Sequence, residues 1–165
     1  MTVRWWAGRT RQFLRYVTGR VTRTERRELA GWLTRGQLAL FDRMHRADQR
    51  HGRDVVMALR RAGHTETDLL VAGLLHDSGK GRDLRVWHRI GWSLGERYGE
   101  GIRSLALRLP TFRTAFATLA AHAERSAELS LDAGCSALTA DLIRHQAEPT
   151  DPDLGVALRL ADEAS

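Results

Sequence analysis

A stretch of seven apolar residues, 69–75, restricts the fold of this chain more than any other sequence feature. As a helix it would be apolar on every side, and such a helix has to be buried among other elements. His76 and Asp77 follow it directly. An imidazole and a carboxylate are costly to bury unless they hydrogen-bond within the core or bind a metal ion. The pattern therefore predicts a central helix that ends in a buried polar site.

The rest of the pattern is helical as well. Prolines occur only at positions 110, 149 and 152, and no segment sustains the alternation typical of a strand. Capping-box patterns that begin at Thr22 and Thr34 predict two helix starts. Gly63 is the predicted stop of a helix, and Thr67 the predicted cap of the next one. The predicted helices cover residues 10–17, 22–33, 34–44, 49–62, 68–77, 83–98, 111–121, 123–133, 136–146 and 152–163, the last with Asp151 as its cap and Pro152 as its first residue.

Length and charge indicate how the chain is organised. With 165 residues, it is long enough for one domain with a core. Residues 1–50 hold 12 arginines against four acidic residues, a net charge of +8, whereas the rest of the chain carries −2. We therefore expect an all-α fold in which a short basic helical extension, residues 1–35, is joined to a core domain, residues 36–165.

The expected extension interleaves arginines with aromatic residues such as Trp5, Trp6 and Tyr16. Such a mixture can bind nucleic-acid phosphates or an anionic membrane surface, so an anionic partner is one interpretation. The other interpretation is that the aromatic side chains pack on the domain while the arginines face water. The sequence leaves both open.

Cysteine usage and hydropathy bear on the compartment. Cys135 is the one cysteine, which excludes an intrachain disulfide and a cysteine-rich zinc site. No apolar run approaches the roughly 20 residues of a membrane span, and residues 1–8 lack the apolar core of an export signal. We therefore expect a cytoplasmic protein.

Seven positions, taken in chain order, resemble the signature of the HD-domain metal-dependent phosphohydrolase superfamily. They are His51, His76, Asp77, Lys80, His122, His145 and Asp162. The resemblance spans roughly residues 45–164, and its centre is residues 74–80, where small residues and a lysine follow the His–Asp pair. It implies that the helical bundle is a single HD domain.

The resemblance also implies a site and a reaction. The first ion would be held by His51, His76, Asp77 and Asp162, and a second ion by His122 and His145, with Asp77 between the two. Imidazole and carboxylate ligands suit one or two divalent transition metals, namely Fe, Mn, Co, Zn or Ni, and suit Mg less well. Metal-activated hydroxide would attack a phosphoester or phosphoanhydride of a small phosphorylated substrate such as a nucleotide. Asp77 and Lys80 are the implied catalytic residues, Lys80 meeting either substrate phosphate or a nearby acid.

Some alternatives stay open at this point. His45 is a rival to His51 as first ligand, and we favour His51 because it is expected to open the helix over residues 49–62. Gln146 follows His145 where the cyclic-dinucleotide phosphodiesterases of the superfamily have a second histidine, which argues against that substrate. Two other functions compete with hydrolysis. One is a regulatory or ligand-sensing HD domain with weak catalysis, and the other is a nucleic-acid or membrane adaptor with a structural metal.

Overall fold

Helices form the regular structure of the residues that the computed structural model describes, 19–81 and 121–165. In chain order they are α1 (Arg23–Ala30), α2 (Arg35–Arg43), α3 (Arg46–Arg61), α4 (Thr67–Leu75), a 3₁₀ turn (Ser78–Lys80), α5 (His122–Asp132), α6 (Ala137–Arg144) and α7 (Leu154–Ala164). These residues include no strand, so the predicted all-α fold is confirmed. The helices predicted over 10–17, 83–98 and 111–121 lie outside the described residues.

Both predicted capping boxes are present. The Thr22 hydroxyl accepts a hydrogen bond from the Glu25 backbone N–H at 3.2 Å, and the Glu25 carboxylate accepts one from the Thr22 N–H at 2.7 Å. Thr34 and Gln37 exchange the same pair of bonds at 3.3 and 3.0 Å. Each box satisfies two backbone donors that a helix start would otherwise leave unpaired. The first helix is shorter than predicted, since it ends at Ala30.

The predicted start of α3 is wrong. His45 is its N-cap, because the His45 Nδ1 accepts a hydrogen bond from the Ala47 backbone N–H at 3.2 Å. The helix therefore begins at Arg46, and His51 lies in its second turn instead of opening it. The predicted stop at Gly63 is confirmed, with a φ of +96° that glycine adopts without strain.

Other helix boundaries differ from the predicted ones by one or two residues. The N-cap of α4 is Glu66, without a side-chain cap, instead of the predicted Thr67. The last helix starts at Leu154, two residues beyond Pro152, and its N-cap is Asp153 instead of the predicted Asp151. Asp151 still supports this start, since its Oδ1 accepts hydrogen bonds from the backbone N–H groups of Asp153 and Leu154 at 2.9 and 2.7 Å.

The apolar helix α4 lies at the centre of the described bundle. It packs against α3, α6 and α7, and residues 69–75 are all buried. Burying a leucine or valine side chain contributes roughly 1.5–3 kcal/mol. The prediction of a buried central helix is confirmed, and the end of this helix fixes where the His–Asp pair lies.

Two glycines let α3 and α4 approach closely beside that pair. A Cβ atom at Gly52 would lie 2.4 Å from the carbonyl oxygen of Leu74, and one at Gly73 would lie 2.9 Å from Leu59 Cδ1. The close approach brings His51, the neighbour of Gly52, to the end of α4.

Helix α1 belongs to the expected basic extension, yet it contacts the core. Leu29 is buried among core side chains, and the Glu25 carboxylate lies 3.1 Å from an Arg50 nitrogen and 3.0 Å from an Arg53 nitrogen. The boundary at residue 35 stays a prediction, and these contacts cross it. None of the described helices is long and apolar enough to span a bilayer.

Candidate metal centre

His76 and Asp77 occupy the point where α4 ends and the backbone turns away. His76 caps α4 and Asp77 leads into the 3₁₀ turn, with both side chains 2% exposed. The His76 Nδ1 lies 3.0 Å from the Gly73 carbonyl oxygen. Because a carbonyl only accepts, Nδ1 carries the proton. Nε2 therefore faces the site, as it does in metal-binding histidines whose other nitrogen is held by the backbone.

Helices α3 and α7 bring a second histidine and a second carboxylate to the same place. His51 Nε2 lies 2.7 Å from Asp162 Oδ1, and that oxygen lies 3.5 Å from His76 Nε2. The rings of His51 and His76 meet edge to face, with their centroids 5.2 Å apart. Side chains from three helices thus converge on one point.

His51, His76 and Asp77 form a group that could hold a metal ion. One ligand atom from each lies within 4.8 Å of the others. Asp77 Oδ1 lies 3.5 Å from His76 Nε2, yet this buried oxygen has no hydrogen-bond partner among the described residues. An unsatisfied buried acceptor costs roughly 1–3 kcal/mol, and more when it is charged. A cation at this oxygen would remove that cost, so the donor set fits a metal ion.

Lys80 meets the other oxygen of the same carboxylate. The Lys80 Nζ lies 2.6 Å from Asp77 Oδ2. The two residues are three apart across the 3₁₀ turn, where side chains with that spacing lie on the same side. Of the two partners expected for Lys80, a nearby acid is the one it contacts here.

The charged groups of the cluster shift one another's pKa values. Burial alone lowers the pKa of His76, but the Asp77 and Asp162 carboxylates outweigh burial and raise that pKa to about 9. Burial raises the pKa of Asp77, yet the His76 and Lys80 cations hold it well below its usual range. The pKa of Asp162 is also lowered, because hydrogen bonds from the two histidines outweigh burial. Both carboxylates are therefore ionised at neutral pH, as metal ligands must be.

The two histidines expected at a second ion, His122 and His145, differ in whether they contact the cluster. His122 opens α5, and its Nε2 lies 3.7 Å from Asp77 Oδ1, on the border of the cluster. His145 caps the end of α6, and its Nδ1 contacts the backbone oxygen and a side-chain oxygen of Asp141 at 3.1 and 3.2 Å. Among the contacts of the described residues, His145 has none with the His–Asp cluster. The structure thus brings six of the seven signature residues together and leaves His145 beside them.

Sequence reasoning missed two residues that support the cluster. The Gln146 side-chain amide donates to the carbonyl oxygens of His76 at 3.3 Å and of Ile143 at 3.0 Å, which ties the end of α6 to the end of α4. The buried Ser126 hydroxyl accepts a hydrogen bond from the Gly79 backbone N–H at 2.8 Å, which ties α5 to the 3₁₀ turn. Gln146 stands out in the sequence as the departure after His145, whereas nothing local distinguishes Ser126.

The remaining histidines lie elsewhere or outside the described residues. His45 serves as the N-cap of α3, and His64 Nδ1 lies 3.4 Å from a Glu66 oxygen at the other end of that helix. His88 lies outside the described residues. Of the two rival first ligands, His51 is the one that reaches the cluster.

No family model, no curated protein and no solved structure matches the chain. The resemblance to HD-domain phosphohydrolases therefore stays a prediction. What the structure shows at this site is a His51–His76–Asp77 group that could hold a metal ion.

Proposed function

We propose that this chain is an HD-domain, metal-dependent phosphohydrolase that acts on a small phosphorylated substrate, a nucleotide in the first place. The observation that carries the proposal is the buried Asp77 Oδ1, which faces two histidines and has no hydrogen-bond partner among the described residues. The order of the signature residues along the chain supports the same class.

His51, His76 and Asp77 would hold a divalent transition metal, with Asp162 beside them. When bound, such an ion acts as a Lewis acid toward phosphoryl oxygens and lowers the pKa of a water ligand. Fe, Mn, Co, Zn and Ni suit two imidazoles with carboxylates better than Mg does.

The side chains of this chain would orient and charge the site. The Gly73 carbonyl holds the His76 ring with Nε2 toward Asp77, so the nitrogen that would bind an ion is already oriented before the ion replaces its proton. Asp162 orients His51 through the 2.7 Å contact between Oδ1 and Nε2. Lys80 partly neutralises Asp77, and its side chain is 21% exposed, so it lies between the buried carboxylate and solvent. A positive group at the rim of a metal site favours an anionic substrate such as a phosphate.

A ligand-sensing domain with weak catalysis is the second candidate. One observation favours it, the 2.6 Å ion pair in which Lys80 is engaged by Asp77 instead of extending toward a substrate. A sensing domain of this kind would bind a nucleotide and become more stable without hydrolysing it.

The test is a hydrolysis screen of the full chain loaded separately with Mn²⁺, Co²⁺, Fe²⁺ and Zn²⁺. Nucleoside mono-, di- and triphosphates are supplied as substrates, and phosphate and nucleotide products are quantified. We expect the His76→Ala variant to lose at least about 100-fold in kcat/KM, because it loses a proposed metal ligand. The matched control is His64→Ala, a histidine that pairs with Glu66 away from the cluster, and it should keep wild-type activity.

Two results would count against hydrolysis. Equal activity of His76→Ala and wild type would show that any turnover comes from a contaminant or another site. A metal-loaded wild type that is stabilised by nucleotides in thermal unfolding, yet hydrolyses none of them, would favour the sensing domain instead.

A further inference from the structure

We propose that the start of α1 and the neighbouring start of α3 form a docking surface for double-stranded DNA. The surface, here called the basic face, consists of four exposed arginines, Arg20, Arg23, Arg27 and Arg46. The inference goes beyond the proposed hydrolysis and does not depend on it, since none of these residues belongs to the His–Asp cluster.

The four acidic residues among positions 1–50 are engaged within the fold. Glu25, Glu28 and Asp42 each form an ion pair with an arginine outside the basic face. Asp48, the fourth, is 1% exposed. The carboxylates of this region are thus engaged elsewhere and do not neutralise the basic face.

The arginines of the basic face have no such partners. Each is exposed, and none forms a side-chain hydrogen bond or ion pair with another residue that the structure describes. A guanidinium in this state keeps its five N–H donors available, and its planar fork matches the oxygens of a phosphate. The basic face therefore presents donors that suit phosphate groups.

The fold gathers these charges at the starts of two neighbouring helices. Arg23 and Arg27 are four residues apart, so they lie on one side of α1, the side turned away from the buried residue of that helix. The ion pair between Glu25 and Arg50 holds the first turn of α1 against α3, one turn beyond Arg46. A single extended polyanion can therefore meet several of the arginines at once.

The apolar side chains of the same region argue against a membrane as the partner. A helix that lies on a bilayer inserts an apolar face into it. Val21, Trp32 and Leu33 instead pack against the core, and Leu29 is buried in it. The large apolar side chains exposed among the described residues are leucines of α5, α6 and α7. The basic face thus offers charge without an apolar anchor.

The aromatic side chains argue for a duplex instead of a single strand. Single strands are bound by stacking their bases on exposed aromatic rings. Phe41 is 1% exposed, and Trp32 packs on the core with the Arg60 guanidinium carbon 5.4 Å from its ring centroid. Neither ring, of the two that residues 19–50 contain, is free to stack on a base.

Between the two kinds of duplex, a face of guanidinium groups fits DNA better. Duplex DNA presents a regular row of phosphates, with one charge per about 1.7 Å of helix axis. Proteins that bind duplex RNA use its ribose hydroxyls as well as its phosphates. Contacts to phosphate alone carry no sequence information, so the proposed binding is independent of sequence.

Fluorescence anisotropy with a labelled DNA duplex of mixed sequence tests the proposal. The full chain is titrated over about 50–200 mM salt, with a chelator present so that the metal centre plays no part. We expect wild type to bind with an affinity that falls steeply as the salt concentration rises, because phosphate contacts release counterions.

The variant Arg23→Gln/Arg27→Gln removes two charges from the basic face. It should bind at least about 10-fold more weakly at about 0.1 M salt, and the slope of log Kd against log salt should fall by about two, one for each lost phosphate contact. The matched control is Arg125→Gln/Arg159→Gln, which removes the same charge from exposed positions of α5 and α7 that also lack a described ion pair. It should stay within about 2-fold of wild type.

Three results would overturn the proposal. The first is a wild type that does not bind the DNA duplex at the lowest salt concentration. The second is an equal loss in the two double variants, because binding would then follow net charge. The third is tighter binding to duplex RNA, single-stranded DNA or anionic vesicles than to duplex DNA. Each of these results leaves the metal site standing.

A measurement on wild type alone covers the case in which a variant does not fold. Exposed arginines are modified with phenylglyoxal with and without duplex DNA, and the modified positions are identified by mass spectrometry. Protection of Arg23 and Arg27 by DNA, relative to Arg125 and Arg159, supports the basic face. Equal modification of all four positions overturns it.

Discussion

At the scale of single residues, the chemistry is concentrated in Asp77. Its carboxylate is buried between histidines on one side and a lysine on the other, and its lowered pKa keeps it ionised. The same charges act on His76, whose imidazole is protonated in the absence of a metal because two carboxylates face it. A metal ion at this site would replace that proton, so metal binding and protonation compete.

The raised pKa of His76 predicts how the stability of the metal-free protein depends on pH. The pKa is about 9 in the folded state and 6.5 as the ordinary value, so folding strengthens proton binding. The stabilisation is fully present below pH 6.5 and is lost as the pH rises through 9. We expect the free energy of unfolding, measured by urea titration with a chelator present, to fall by about 3 kcal/mol across that window.

Two variants identify the group responsible. His76→Gln should flatten the pH dependence between 6.5 and 9, whereas His64→Gln, which alters a partly exposed histidine, should keep it. If the slope persists in His76→Gln, another group carries it and the assigned charge state of the cluster is wrong.

At the scale of elements, close helix contacts set the geometry of the site. Helix α3 carries His51, α4 ends at the His–Asp pair, and Gly52 is where the two backbones meet. The Leu74 carbonyl oxygen occupies the space that a side chain at position 52 would need. The position of His51 therefore depends on a neighbour that has no side chain.

The Gly52→Ala substitution should weaken both the fold and the metal site. Its Cβ would lie 2.4 Å from a backbone oxygen, so the helices must separate. We expect a loss of about 1–3 kcal/mol in unfolding free energy, the usual cost of overpacking, and at least about a 10-fold loss of metal affinity. Urea unfolding and metal titration measure these effects.

Gly31→Ala is the matched control for that substitution. Gly31 is exposed and has an ordinary helical φ of −76°, and a Cβ atom there would lie 3.2 Å from the Glu28 carbonyl oxygen. It should stay close to wild type in both measurements. A Gly52→Ala variant that binds metal as tightly as the control would mean that the approach of α3 to α4 does not position His51.

Helices were predicted well where the signal for them lies among neighbouring residues in the sequence. The capping boxes at Thr22 and Thr34 depend on residues three apart, and the buried helix α4 on a continuous apolar stretch, so each could be predicted from a short window. The start of α3 was predicted wrongly because a histidine, His45, acts as its cap. Histidine is not among the preferred N-cap residues, so the pattern contained no start signal there.

At the scale of the whole molecule, the site is assembled from distant parts of the chain. His51 and Asp162 are 111 residues apart in sequence and 2.7 Å apart in space. No periodicity or spacing predicts such a contact, and only the resemblance suggested that the two belong together. The contact of Gln146 with His76 across 70 residues was not predicted for the same reason.

The described bundle also extends into the region expected to be a basic extension. Leu29 of α1 is 4% exposed within the core, whereas Leu160 of α7 is 55% exposed. We expect Leu29→Ala to lower the free energy of unfolding by about 2–4 kcal/mol, because it leaves a cavity, and Leu160→Ala to change it by less than about 0.5 kcal/mol. Urea unfolding of the two variants tests whether α1 is part of the folded unit, and equal effects would show that it is not.

Metal retention by the full chain tests the assignment of the site most directly. Wild type, Asp77→Asn and Asp132→Asn are purified without chelator and titrated with Mn²⁺, Asp132 being an exposed acid at the end of α5. We expect wild type and Asp132→Asn to bind with the same affinity, and Asp77→Asn to bind at least about 100-fold more weakly, since it loses the charged ligand. Equal binding by all three proteins, or no binding by wild type at micromolar Mn²⁺, would contradict a metal site at His51, His76 and Asp77.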